Sequence, residues 1–258
     1  MRIIRCLIIA FSLYSRIPMP RFTWKDEDMK YVLCFLPFVG AVIGGLVYGA
    51  LFLADMCKLP LLAKVCIVSV IPLLITGGFH ADGYMDVKDA LSSYKPREDK
   101  LAILKDPHIG AFAVIGFVIY ALIWTAAVAV ICDRSVINSC VILIPVFILS
   151  RIGTSISSVA LKKAKSDGML NNEAKGAGRI QIAVMIIELA VTLTIACLMD
   201  IYIAVTLAAV LAIVYVYYGY KTYKEFGGVT GDTAGYFVCI SELAQLIVIA
   251  VCNLIRTL

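Results

Sequence analysis

Apolar residues run along this chain in long blocks, and the polar ones gather between them. Two windows, Tyr31 to Ala54 and Ile109 to Cys132, each hold 24 residues without an Asp, Glu, Lys or Arg. At ~1.5 Å of rise per residue, either one crosses a ~30 Å hydrocarbon core as a helix. Five further blocks carry at most one charge each: Leu61 to Phe79, Ser135 to Ala160, Ile180 to Met199, Ile201 to Tyr220 and Thr233 to Ile255. The pattern predicts seven transmembrane helices. Ahead of them, the stretch up to Pro20 holds an apolar run of about ten residues, bounded by arginines and closed by two prolines. That run is short for a span and has no small-residue cleavage site. It predicts an amphipathic interfacial or re-entrant helix that stays on one side.

Composition agrees with the pattern. Of 258 residues, 62% are hydrophobic, where soluble domains stay near half. The fold class expected is an all-α, polytopic integral membrane protein. No repeat, low-complexity tract or long linker divides it, so residues 1–258 read as a single membrane-embedded domain. Charge adds orientation. Lys and Arg number six up to Lys30, five from His80 to His108, five from Leu161 to Arg179 and two from Lys221 to Asp232, against at most one in each remaining connection. By the positive-inside rule, the N-terminus and the loops between spans 2 and 3, 4 and 5, and 6 and 7 are cytoplasmic. The net charge of +5 therefore reports topology rather than a nucleic-acid partner. Nine scattered cysteines without a C-x-x-C, and only two histidines, argue against a disulfide framework and a zinc or haem site.

The candidate chemistry lies where the second apolar block ends, in "TGGFHADGYMDVKDALSS", Thr76 to Ser93. If this stretch is helical, Asp82, Asp86 and Asp89 fall within about 60° of one another. Like charges that close beside a low-dielectric boundary are costly unless a cation sits among them. Such oxygen donors suit Mg²⁺ or Mn²⁺, whose shells are commonly completed by waters and phosphate oxygens, so a diphosphate is the natural ligand. The plainer alternative is the wet face of a surface helix, interleaved with Lys88 and Lys95. His80 stands ready as a general base, a metal ligand or only a hydrogen-bond donor.

A second stretch, "KEFGGVTGDTAGY" from Lys224 to Tyr236, precedes the last span on the same side. Gly227, Gly228 and Gly231 free the backbone to present N–H groups, and Thr230 and Asp232 lie where a helix N-cap belongs, a ready anion site. Its spacing is not that of a Walker A loop. Asp232 either caps the helix or adds a carboxylate to the cluster. In "KDPHIGAF", Lys105 to Phe112, Asp106 and Pro107 mark the entry to span 3; Lys105 or His108 is alternatively placed to neutralise a phosphate. Arg151, Glu188 and Glu242 fall inside spans, where an ionised group pairs, snorkels or faces a polar cavity. Glu242, about ten residues beyond Asp232, is the best functional candidate of the three.

Together these stretches resemble the cobalamin synthase (adenosylcobinamide-GDP ribazoletransferase) family. The resemblance is carried by "FSLYSRIPMP", "FLPFVGAVIGG", "TGGFHADGYMD" with Asp89, "LKDPHIGAF", "SRIGTS" and "GGVTGDTAG" followed by Ser241 and Glu242, in that order over most of the chain. It implies a Mg²⁺-dependent transfer that joins adenosylcobinamide-GDP to α-ribazole or its 5′-phosphate and releases GMP. The setting implied is a bacterial or archaeal cytoplasmic (inner) membrane, with the lipid bilayer as surroundings, no nucleic-acid partner and the oligomeric state open. Under this reading His80, Asp82 and Lys105 are catalytic, and Asp82, Asp86, Asp89 and Asp232 hold the metal. Gly227, Gly228, Thr230, Gly231, Arg151 and Glu242 contact substrate or phosphate. The chain departs from the family pattern at Met85, Ala90 and Cys239, the last replacing an acid. Other membrane phosphotransferases or prenyltransferases with aspartate-rich motifs fit less well. A cation transporter using Glu188 and Glu242 is the rival from another class.

Overall fold

In the computed structural model, residues 2–134, 137–164 and 178–256 are described. All regular elements among them are helical: α1 (Arg2–Tyr14), α2 (Asp26–Met29), α3 (Val32–Met56), α4 (Leu61–Thr76), α5 (Phe79–Ser92), α6 (Arg97–Ile103), α7 (Ala111–Arg134), α8 (Leu143–Ala160), α9 (Arg179–Met199), α10 (Ile201–Phe226) and α11 (Gly231–Arg256), with a 3₁₀ turn, Ile137–Ile142, before α8. Six of these, α3 and α7 to α11, are long and apolar enough to cross a membrane; α4 and α5 pass that test only as a pair bent by 92°. The sequence expectation of seven spans thus holds for six helices, and for the seventh only where α4 and α5 together count as one span.

The bundle is built around α8, which packs against α3, α9, α10 and α11. Its buried face carries Ser150, Thr154, Ser155, Ser157 and Ser158, small polar residues that let helices approach closely and bond across the gap. The Ser155 hydroxyl, for instance, donates to the Leu33 carbonyl of α3 at 2.9 Å. On the outside, Leu122, Leu198, Ile213 and Val216 are each well over half exposed, as a lipid-facing surface requires. The short α1 lies against α3, burying Cys6, Ile9, Ala10 and Tyr14 while Ile3 and Ile4 face outward. At 13 residues it is too short to span.

Two boundaries differ from the sequence reading. The second apolar block was expected to run on to Phe79, but α4 stops at Thr76 and Phe79 opens α5. The cause is the pair Gly77 and Gly78, with φ of 68° and 81°, left-handed values that residues with a Cβ rarely adopt. Entry to α7 comes at Ala111, five residues beyond Asp106. The Asp106 carboxylate instead accepts from the His108 backbone N–H at 3.0 Å, a local Asx-type turn. Most of the loop expected between Leu161 and Arg179 lies outside the described residues.

Candidate active site

Helix α5 leaves the α4 axis at 92°, and its charges begin at Asp82, with Asp86, Lys88 and Asp89 following; we place this charged part, from Asp82 on, outside the hydrocarbon core. It packs between α7 and α11, burying Ala81, Tyr84, Val87 and Ala90. Because the helix starts at Phe79, its phase turns Asp82, Asp86 and Asp89 to one stripe, with Asp82 exposed and the other two half-buried. A Cβ added at Gly83 would stand 2.7 Å from the Asp232 carbonyl oxygen. Only glycine allows α5 to come that near α11, and this contact sets the first turn of α11 beside the acid stripe. On the other flank, Asp89 lies against Gly110, just ahead of α7.

One of the four carboxylates feels the other three. The Asp86 carboxyl is pushed up to about 6, first by burial and then by the negative charges of Asp82, Asp232 and Asp89. Their donors are all hard oxygens, from two helices, at a wet rim. Among the described residues no three His, Cys, Asp or Glu side chains already converge tightly enough to grip an ion. Such a set fits a divalent cation whose shell is completed by water and by a ligand's phosphate oxygens rather than by protein alone.

The loop before α11 differs from its expected role. Gly227 ends α10 with φ 79°. Its N–H donates to Tyr223 O and that of Gly228 to Thr222 O, both at 3.2 Å, a Schellman-type end. Val229 N–H donates to Lys162 O at 2.9 Å. The N–H groups expected to cradle an anion at Gly227 and Gly228 are therefore spent on capping α10. Thr230, not Asp232, caps α11: Thr233 N–H donates to the Thr230 hydroxyl at 3.2 Å, and Thr230 N–H to the Thr233 hydroxyl at 2.8 Å. Asp232 stands in the first turn of α11, with Gly231 exposed beside it.

His80 turns away from the acids. It is two residues before Asp82, about 200° around the helix, and it is buried in an interior cavity also lined by Arg151 and Glu242. Those two form a buried ion pair, with the Ser150 hydroxyl donating to Glu242 Oε1 at 3.2 Å and Arg151 Nη1 to Ser150 Oγ at 2.9 Å. Arg151 and Glu242 thus face each other inside the bundle instead of sharing the rim with Asp232, which lies roughly 15 Å along α11. Lys105 is exposed after α6 and makes no ion pair among the described residues. His108 is taken up by Asp106, its Nδ1 at 2.7 Å, and the His108 N–H bond holds the Asp106 carboxyl below its usual range.

Two arginines that the sequence reading left unassigned lie against the glycines that precede α5 and α11. The Arg16 side chain lies over Gly77, and its backbone N–H donates to Ile75 O at 2.7 Å. Arg97 lies against Gly227, with Nη2 donating to Tyr223 O at 3.2 Å; the Lys100–Glu225 pair, at 2.5 Å, ties its helix to α10. Each therefore sits at the break leading into one acid-bearing helix. Arg16 belongs to the quoted "SRIPMP" motif; nothing in the sequence pointed to Arg97.

Helices of this kind, two of which bring acidic side chains near one another, define a polytopic all-α membrane protein. Residues 6–250 match the family model described as cobalamin-5-phosphate synthase, and the chain belongs to that family. Relatives include the adenosylcobinamide-GDP ribazoletransferase of Lachnoclostridium phytofermentans, 36% identical with 94% of this chain and 92% of the relative covered. Those of Clostridium perfringens, covering 96% and 98%, and of Geotalea daltonii, covering 95% of each, are 29% identical. No solved structure matches.

Proposed function

We propose that the chain transfers the adenosylcobinamide-phosphate group from adenosylcobinamide-GDP to α-ribazole or its 5′-phosphate, releasing GMP, at the cytoplasmic face of a cell membrane. The observation that carries this reading is the close approach of α5 and α11 at Gly83, which puts Asp232 beside the acids of α5. Its support from outside the fold is family membership and the names of the relatives.

In this reading Asp82, Asp86, Asp89 and Asp232 hold Mg²⁺. When bound, the ion supplies positive charge to the pyrophosphate and to the departing phosphate oxygen. The chain's own residues do the rest. The acid stripe and the first turn of α11 position the diphosphate at the rim. Arg16 and Arg97, at the two helix breaks, lend their charge to phosphate oxygens that the carboxylates alone would repel. A hydroxyl of the acceptor attacks the phosphorus joined to the cobinamide arm, its proton passing out through the wet rim; the bond from that phosphorus to the bridging oxygen breaks, and GMP leaves with it.

The test is reconstitution of the protein in lipid nanodiscs with adenosylcobinamide-GDP, α-ribazole and Mg²⁺. GMP and a corrinoid bearing the nucleotide loop are the expected products, and chelation of Mg²⁺ stops both. Asp82→Asn lowers GMP release by on the order of a hundredfold or more, the scale of several kcal/mol of lost charge stabilisation, with its helical circular dichroism unchanged. Cation flux in vesicles without nucleotide release would reject the reading.

A further inference from the structure

A cavity of about 160 Å³ lies inside the bundle between α4, α5, α7, α8 and α11. Buried polar groups in folded proteins are nearly always hydrogen-bonded. Among the described residues seven buried side-chain polar atoms have no partner, and four of them, Ser69 Oγ, His80 Nδ1, Trp124 Nε1 and Arg151 Nε, belong to residues lining this one cavity. His80, Trp124 and Arg151 are each more than nine-tenths buried. Unmet groups concentrated this way point to a ligand.

The chemistry of the lining narrows its class. Indole and guanidinium N–H groups donate and never accept, so the ligand presents acceptor atoms. The Arg151 charge is already matched by Glu242, so the ligand is neutral. Phe117, Tyr120 and Trp124 follow one another along α7, with successive ring centroids 5.9 and 5.7 Å apart, and their faces favour a flat aromatic partner. A dry cavity of ~150 Å³ is enough for a benzene-sized ring. Val70, Leu73 and Thr125 line the same cavity and are exposed on the outer apolar surface, which opens it sideways between α4 and α7.

We infer that this cavity is a binding site for a small, neutral aromatic heterocycle with a hydrogen-bond acceptor on its edge, entering from the bilayer. The aromatic base of the nucleoside acceptor proposed above is a member of this class. That identification rests on the proposed reaction; the site itself does not, so the two fail separately.

Trp124 is a built-in reporter, because the chain's other tryptophan is Trp24. In nanodiscs, the Trp24→Phe protein, excited at its remaining tryptophan, is titrated with pyridine and with benzene, rings of one shape that differ in an acceptor atom. The expected result is a saturable change with pyridine, at an affinity up to about tenfold above that for benzene, as one newly met donor implies. Ala121→Phe, which sends a ring into the cavity from α7, removes the saturation, and Ser69→Ala weakens it. A linear, unsaturable response to pyridine, as in a cavity filled by water or lipid, would overturn the inference. So would benzene binding as tightly as pyridine.

Discussion

Among the described residues Arg151 is the largest of the fully buried side chains, 1% exposed, and it survives there because Glu242 opposes it and Ser150 bonds to both. Removing one partner leaves a charge stranded in a low-dielectric interior, whereas removing both leaves an apolar gap. Arg151→Met or Glu242→Gln alone should therefore lower stability by about 3–5 kcal/mol, and the double substitution by less than either. Thermal unfolding in detergent measures it; additive losses would show that the two charges are not paired. From sequence the need for a partner was legible, since an ionised group in a span must find one. Which partner it finds was not, because the pairing depends on how α8 and α11 face each other, and their spans stand some ninety residues apart.

At the scale of elements, the decisive contact is α5 against α11. A methyl group at Gly83 would push into the Asp232 carbonyl, backbone that cannot turn aside. Gly83→Ala is expected to cost about 1–3 kcal/mol, as overpacking does, and to lower GMP release further than its stability loss explains, because Asp232 moves away from Asp86. Kinetics compared with thermal unfolding separates the two; unaltered GMP release would place the acids' cooperation elsewhere. The long apolar helices were legible because lipid sorts residues by hydropathy alone, and the acid stripe because helical periodicity is arithmetic. The direction of His80 was not. It depends on α5 beginning at Phe79 directly after two left-handed glycines, a phase that hydropathy does not report. Likewise, Gly227 and Gly228 look free in sequence, yet ending α10 consumes their N–H groups.

Over the whole molecule, six apolar spans and one bent pair hold a polar rim at one end of α11 and a cavity deeper in the bundle. The two share α5: its acid stripe faces the rim, while His80 and Ala81 line the cavity. A reaction between a water-borne diphosphate and a ring-bearing acceptor suits such a layout, with charge handled at the wet edge and apolar surface sheltered inside. If carboxylates from α5 and α11 together hold a hard cation, changing the softness of one donor changes which metal supports the reaction. Asp232→Cys replaces an oxygen donor on α11 with a thiolate, which prefers softer ions. This variant is expected to lose GMP release with Mg²⁺ and to regain part of it with Cd²⁺, as is Asp86→Cys on α5. Undiminished GMP release by Asp232→Cys with Mg²⁺ alone would contradict it.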